Sequence, residues 1–251
     1  MPIAVGEARK FIPYVNELEK IYIFTMIFGT TTDSLDKDGD ITGTSEKIPG
    51  INEIKKIIPS LIGEQYQVPP VFSAIKINGK RACDRVRSGE SIQLLPRRIT
   101  IFSIDIIEQL SEKSITLQVK CSKGTYVRSI ARDIAERLGT VAYVESLRRI
   151  KSGFFSINNA ISLEKLSEMK DTNELEHVFI PLESPLDDIP ALYLRKNDVT
   201  RLQNGLRISV DRSDLSSSNV LIHDDIDQKF KGIGFVSADG NELKAVRMCV
   251  Y

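Results

Sequence analysis

The chain has no tryptophan and only two histidines, His177 and His223, in 251 residues. That scarcity argues against zinc sites, Ser-His-Asp triads and histidine general bases. Its three cysteines, Cys83, Cys121 and Cys249, lie far apart and form no C-x-x-C pair. They fit free thiols in a reducing cytoplasm better than a disulfide framework. No apolar run approaches the roughly 18 residues needed to cross a bilayer. The opening MPIAVGEARKF lacks the charged-then-apolar layout of a secretory signal. Neither a membrane nor a metal is therefore expected as a partner. Net charge is zero, so the overall balance does not advertise a polyanion. Internal repeats are absent, and Ser216-Ser217-Ser218 is the only low-complexity tract.

What is present is an ordinary globular composition, 41% hydrophobic and 27% charged. The length suffices for one good core and a second, smaller one. Charge is unevenly spread. Lys76, Lys80, Arg81, Arg85, Arg87, Arg97 and Arg98 crowd one segment, against Asp84 and Glu90. Lys120, Lys123, Arg128, Arg132, Arg137, Arg148, Arg149 and Lys151 crowd another. Residues 171–198 are acidic. Two basic segments in one domain suit a phosphate-binding face, although solvated surface charge gives the same pattern.

Residues 20–28 (KIYIFTMIF) read as a strand and Asp38-Gly39 as a hairpin turn. The run Asp33, Asp36, Asp38, Asp40 departs from a calcium loop and reads as a solvated turn. Helical spacing over 51–63 is interrupted by Pro59, which predicts a kink or an early end. A strand is expected at 71–77, an Asn78-Gly79 turn after it, and a helix at 81–88. Strands are expected at 98–108, 114–121 and 143–150. Residues 162–178 read as a helix and an acidic connection. Pro181, Pro185 and Pro190 mark a linker. Short β patterns return at 190–195, 219–223, 230–237 and 243–250, with a small helix at 197–203.

The richest stretch runs from Cys121 to Asp133. An alternating strand ends in Ser122-Lys123-Gly124-Thr125, and a helix starts at once. Val127, Ile130, Ala131, Ile134, Ala135 and Leu138 fall at helical spacing, and Gly139 sits where a C-terminal cap belongs. Arg128 stands in the first turn, where the helix dipole disfavours a cation. That placement predicts a carboxylate or phosphate for it to meet.

Several segments, in order, resemble the TruB family of tRNA pseudouridine synthases. Pro2 to Lys10 resembles the family's LPxxxGxATK, and Lys20-Ile21-Tyr22 its K-x-Y. Thr32-Asp33 with Asp36 and Gly39 resembles T-D-T-x-D-x-x-G. Pro69 to Lys76 is similar to PPxxSAxK, and Gly79 to Gly89, then Pro96-Arg97, to G-x-R-A-Y-x-x-A-R-x-G and P-R. Cys121 to Arg128 is similar to CSKGTYIR. Leu147-Arg148-Arg149 with Gly153 and Phe155 resembles LRRxxxGxF.

The resemblance implies an α+β fold: a synthase core over 1–180 with a mixed, largely antiparallel sheet, and a PUA-like β module over 184–251. It implies isomerisation of uridine-55 in the TΨC loop of tRNA, without a cofactor, on a base flipped from its stack. The family expectation is a monomer. Tyr22 would stack on the uracil, Arg128 would orient the catalytic aspartate, Tyr126 would lie beside it and Leu147 would pack the pocket. Lys20, Lys76, Lys80, Arg81, Arg97, Lys123, Arg148 and Arg149 are the expected RNA contacts. Ser73 reads as a strand hydroxyl, since no histidine lies nearby to activate it.

Some positions depart from the pattern. Arg9 replaces threonine and Cys83 replaces tyrosine. The family's nucleophilic aspartate lies in G-x-L-D-x-x-A-x-G, just ahead of LPxxxGxATK, and that motif does not occur in residues 1–251. The expectation is an N-terminally truncated synthase: a misplaced start, an inactive tRNA-binding or tRNA-folding form, or a decayed gene product that folds poorly. On this expectation Arg128 and Tyr22 flank an open cleft, and the carboxylate for Arg128 is missing.

Overall fold

A computed structural model describes residues 1–15, 19–170 and 173–249. The chain forms two compact units, one of Glu17–Asn158 and one of Met1–Asn16 with Asn159–Tyr251. Residues 1–15 carry a 3-10 segment (Gly6–Lys10) and one helical turn, α1 (Ile12–Val15). Phe11 explains why they group with the distant C-terminal residues. It is fully buried among Leu186, Leu221, Phe230, Ile233 and Cys249, and its ring meets Phe230 edge-on at 5.3 Å.

In chain order the larger unit has β1 (Lys20–Phe28), β2 (Thr30–Thr32), β3 (Ile41–Thr44), α2 (Ile51–Ile57) and β4 (Gly63–Gln67). Next come β5 (Lys76–Ile77), β6 (Lys80–Arg81), α3 (Ala82–Arg87), β7 (Arg97–Gln109) and β8 (Ser114–Cys121). Helix α4 (Val127–Arg137), β9 (Ala142–Ser152) and β10 (Phe155–Ser156) complete it. A six-stranded sheet runs β10-β9-β1-β8-β7-β4, and its described neighbours pair antiparallel.

One face of that sheet builds the core. Register sets Lys20, Tyr22 and Phe24 opposite Cys121, Val119 and Leu117, and strand alternation sends these side chains to the same face. Helix α4 covers it with the apolar positions expected from spacing: Val127, Ile130, Ala131, Ile134, Ala135 and Leu138 are all buried. Each fully buried valine, isoleucine or leucine among them contributes about 1.5–3 kcal/mol. The helix closes on Gly139 (φ +69°), with Gly139 N–H donating to Glu136 O and Thr140 N–H to Ala135 O. This pair of bonds satisfies carbonyls that the helix end leaves over.

Proline acts as expected in the next segment. Helix α2 ends at Ile57, and a 3-10 turn, Ile58–Leu61, carries Pro59. The strand expected at 71–77 is a correction: only Lys76–Ile77 pair, while 71–75 are irregular. Pro69 and Pro70 just before them lack backbone donors for a ladder.

The second unit has α5 (Leu163–Met169), β11 (Ala191–Leu194), α6 (Lys196–Gln203), β12 (Ile208–Ser209), β13 (Asn219–Asp224), β14 (Phe230–Val236) and β15 (Glu242–Met248). Its sheet order is β11-β13-β14-β15-β12, with β11 parallel to β13. Of the helix and acidic connection expected over 162–178, the helix is α5, ending at Met169, and a 3-10 segment, Asn173–Val178, follows. Residues 171–172 of that span, and residue 250 of the expected last strand, lie outside the described residues.

Candidate active site

Arg128 stands in the first turn of α4 with Tyr126 as the N-cap residue, whose side chain makes no capping bond. Its guanidinium is held on three sides. Nη1 donates to Asp36 Oδ2 at 2.8 Å and to Ser34 O at 2.6 Å, and Nη2 donates to Phe72 O at 2.8 Å. The expectation of an unfilled carboxylate site is therefore corrected: Arg128 already pairs with a carboxylate of this chain. Among the described residues its Nε–H and second Nη2–H make no hydrogen bond, so it retains two donors for another acceptor.

The β2–β3 loop delivers Asp36. Lys37 N–H donates to Val144 O and Val144 N–H to Leu35 O, which fastens the loop to β9 beside α4. Asp36 Oδ1 accepts from Ser34 Oγ at 2.6 Å and from Asp38 N–H at 3.2 Å, leaving Oδ2 to Arg128. The solvated turn read from the sequence is thus a built support. Gly39 packs closely inside it: a Cβ there would lie 2.3 Å from Ser34 Oγ and 2.4 Å from Asp33 Oδ1, so those side chains would have to shift.

A second support lies between β4 and α3. Gln67, 2% exposed, receives Tyr126 N–H on Oε1 at 2.9 Å and donates from Nε2 to Tyr126 O at 3.2 Å. Val68 O accepts from Ser129 Oγ at 2.9 Å and Arg132 Nη2 at 3.1 Å. Asp36 appeared in the sequence only as a hairpin motif residue. Gln67 gave no signal beyond preceding the Pro-Pro segment.

Tyr22, Arg149 and Leu147 share one face, since Tyr22 sits opposite Arg149 and Phe24 opposite Leu147. Tyr22 is half-buried against the core. Burial pushes its phenol up from the ordinary value, against the lowering effect of a hydrogen bond from Arg149. Lys20 is on the same face. Burial, then the charges of Arg149 and Lys123, push its ammonium down. The structure thus gathers Lys20, Tyr22, Lys123 and Arg149. Leu147 is 48% exposed. Arg148 faces the other way, opposite Ile23.

The remaining expected cations lie elsewhere. Lys76, Lys80 and Arg81 occupy the β5–β6 hairpin, closed by Asn78-Gly79. Lys76 and Arg97, with Asn78, Gln93, Leu94 and Leu95, line an open groove of about 480 Å³. Ser73 is 5% exposed, and its Oγ has no hydrogen-bond partner among the described residues. No group of three His, Cys, Asp or Glu side chains placed to hold a metal occurs among the described residues. No helix there is long and apolar enough to cross a membrane.

Comparison with known families decides what this arrangement belongs to. Residues 1–127 match the TruB family pseudouridylate synthase N-terminal domain. Residues 128–187 match the tRNA pseudouridylate synthase B C-terminal domain. The chain belongs to the TruB family of pseudouridine synthases. Similar relatives carry the name tRNA pseudouridine synthase B. That of Zymomonas mobilis is 46% identical over 208 residues, spanning 83% of this chain and 68% of the relative. That of Caulobacter vibrioides is 42% identical, spanning 83% and 67%. Among solved structures, a Cbf5-Nop10-Gar1 complex matches at TM-score 0.69 and 18% identity, over 98% of this chain and 70% of that one. An H/ACA RNP bound to a substrate RNA containing 2'-deoxyuridine matches at TM-score 0.70 and 15% identity, over 98% and 71%. These structures share the fold: helices with largely antiparallel sheet and a small C-terminal β module. In this TruB-family chain the pinned arginine and the half-buried tyrosine lie in the two segments that resemble CSKGTYIR and K-x-Y.

Proposed function

We propose that this protein isomerises uridine-55 in the TΨC loop of tRNA to pseudouridine, on a base flipped out of its stack. The N1–C1′ bond breaks, the uracil turns, a C5–C1′ bond forms, the C5 proton leaves and N1 takes up a proton, so that the product is an isomer of the substrate. The observation that carries the reading is the Arg128 guanidinium, fixed by Asp36, Ser34 O and Phe72 O with two donors to spare. A cation held this rigidly suits the orientation of a second carboxylate, the aspartate nucleophile that the family resemblance implies.

Tyr22 supplies an aromatic wall for a flipped pyrimidine. Its raised pKa keeps the phenol protonated at neutral pH, which favours stacking over action as a phenolate. Tyr126 and Leu147 complete the pocket. Lys20, Lys123 and Arg149 meet phosphates flanking the base, while Lys76, Lys80, Arg81, Arg97 and Arg148 grip the arm more widely. The C-terminal β module is PUA-like and holds the acceptor arm. The protein acts as a monomer, without metal or other cofactor.

Tritium release from tRNA carrying [5-³H]uridine tests this. Release of one tritium per tRNA, lost when uridine-55 is replaced by cytidine, is expected. Release that persists after that replacement overturns the proposed site. A second reading is tRNA binding or folding without turnover, for which the gathered cations Lys20, Lys123 and Arg149 would suffice. Salt-dependent tRNA binding with no tritium release would select it.

A further inference from the structure

We propose that Gln67 is a positioning residue that sets the direction of Arg128 by gripping the Tyr126 peptide from both sides. The inference rests on the role given to Arg128 above. Three observations carry it. First, Tyr126 is the N-cap of α4 with extended backbone (φ −102°, ψ 114°), and its own side chain does not cap the helix. A helix start without a side-chain cap leaves its entry angle to whatever else holds it.

Second, the Gln67 amide supplies that hold. It accepts from Tyr126 N–H and donates to Tyr126 O, which also receives Ile130 N–H at 3.1 Å in the first turn of α4. A buried amide can match a peptide in this two-way manner because it carries both a donor and an acceptor. Carboxylate, thioether and alkyl side chains cannot. Gln67 is 2% exposed, and loss of its amide leaves Tyr126 N–H unpaired while Tyr126 O keeps Ile130 N–H.

Third, the hold is tied to Arg128 itself. Gln67 is followed by Val68, whose carbonyl accepts from Ser129 and Arg132, and then by Pro69-Pro70. Two consecutive prolines with fixed φ make a stiff span. Just beyond it, Phe72 O accepts from Arg128 Nη2. Residues 67–72 therefore template both the backbone before Arg128 and one side of its guanidinium. The β2–β3 loop templates the other side.

The test is nitrogen-15 NMR of the full chain with labelled arginine, following guanidinium N–H exchange. The Arg128 signals are those lost in Arg128→Lys. Arg137, which donates from the same helix to Ser60 O and Ser60 Oγ, is the internal reference. Gln67→Met keeps volume and removes both bonds; Gln67→Glu keeps only the acceptor for Tyr126 N–H. Exchange at Arg128 should quicken about tenfold or more in the Met variant, and less in the Glu variant, with Arg137 unchanged. On tRNA, Gln67→Met should lower the single-turnover rate while leaving affinity nearly intact. Unchanged Arg128 exchange overturns the proposal. So does equal quickening at Arg137, or failure of both variants to fold, since each assigns Gln67 to stability alone. Should Arg128→Ala leave tritium release unaltered, the reading of the active site fails, but the exchange result still decides what Gln67 holds.

Discussion

Arg128 Nη1 lies 2.8 Å from Asp36 Oδ2, joining the first turn of α4 to a hairpin loop 92 residues earlier in the chain. Both side chains are largely shielded, at 20% and 31% exposure. The pair is a charge-assisted bond within a fixed frame rather than a surface ion pair of small worth.

Asp36→Asn should therefore destabilise the larger unit. Asparagine keeps an oxygen acceptor but loses the charge, and a neutral bond is worth about 1 kcal/mol less than one between charged groups, so a loss of about 1 kcal/mol is expected. Chemical denaturation of the variant against wild type measures it. A difference within error would mean that the loop, not the charge, holds Arg128.

Arg128→Ala should slow uridine isomerisation by about 100-fold or more, as expected for loss of a preorganised group at a reacting centre. Its effect on tRNA affinity should be much smaller, because the cations proposed to meet phosphate, Lys20, Lys123 and Arg149 among them, are left in place. Single-turnover tritium release and filter binding, run side by side, separate the two.

Gly39→Ala probes the same support without touching a charge. A Cβ 2.3 Å from Ser34 Oγ and 2.4 Å from Asp33 Oδ1 must displace the side chains that frame Asp36. Overpacking of this kind costs about 1–3 kcal/mol. The variant should also lose activity like a weaker Arg128 substitution, seen as a lower rate at saturating tRNA.

Thiol chemistry should distinguish the cysteines. Burial pushes the Cys121 thiol up to about 11, and Cys121 and Cys249 are 0% and 1% exposed. Cys83 is half-buried at the surface. At pH 8 a disulfide reagent should label Cys83 first, and the other two only on unfolding. Cys83→Ser should abolish the fast phase.

Asp133 in α4 offers a pH test. Burial raises its carboxyl above the ordinary value, outweighing the hydrogen bonds and charge of Arg132. A raised folded-state value means that stability is full below the unfolded pKa, about 3.9, and is lost as pH rises through the folded one. Asp133→Asn should thus raise the melting temperature at pH 7, and the gain should vanish below about pH 4. An equal gain at both pH values would rule out ionisation as the cause.

Local patterns were legible wherever a residue's role depends on its sequence neighbours. The spacing of Val127 to Leu138 marked the buried face of α4, alternation marked β8, the apolar run of residues 20–28 marked β1, and Pro59 marked the end of α2, because helix and strand patterns are properties of a short stretch of chain. Family motifs singled out Tyr22 and Arg128 for the same reason. The partners of those residues were not legible. Asp36 looked like a solvated turn until the Leu35 and Lys37 bonds to Val144 carried it to α4. Gln67 gave no signal of its own until the fold placed its amide across from Tyr126, 59 residues away. Ser73 lost its expected strand, since the Pro-Pro pair ahead of it cannot pair. Phe11 joined Phe230 across most of the chain. Sequence carried the identity of the chemical groups and the local elements that bear them. Only the closing of the chain on itself chose which donor meets which acceptor, because that choice follows from long-range packing and register.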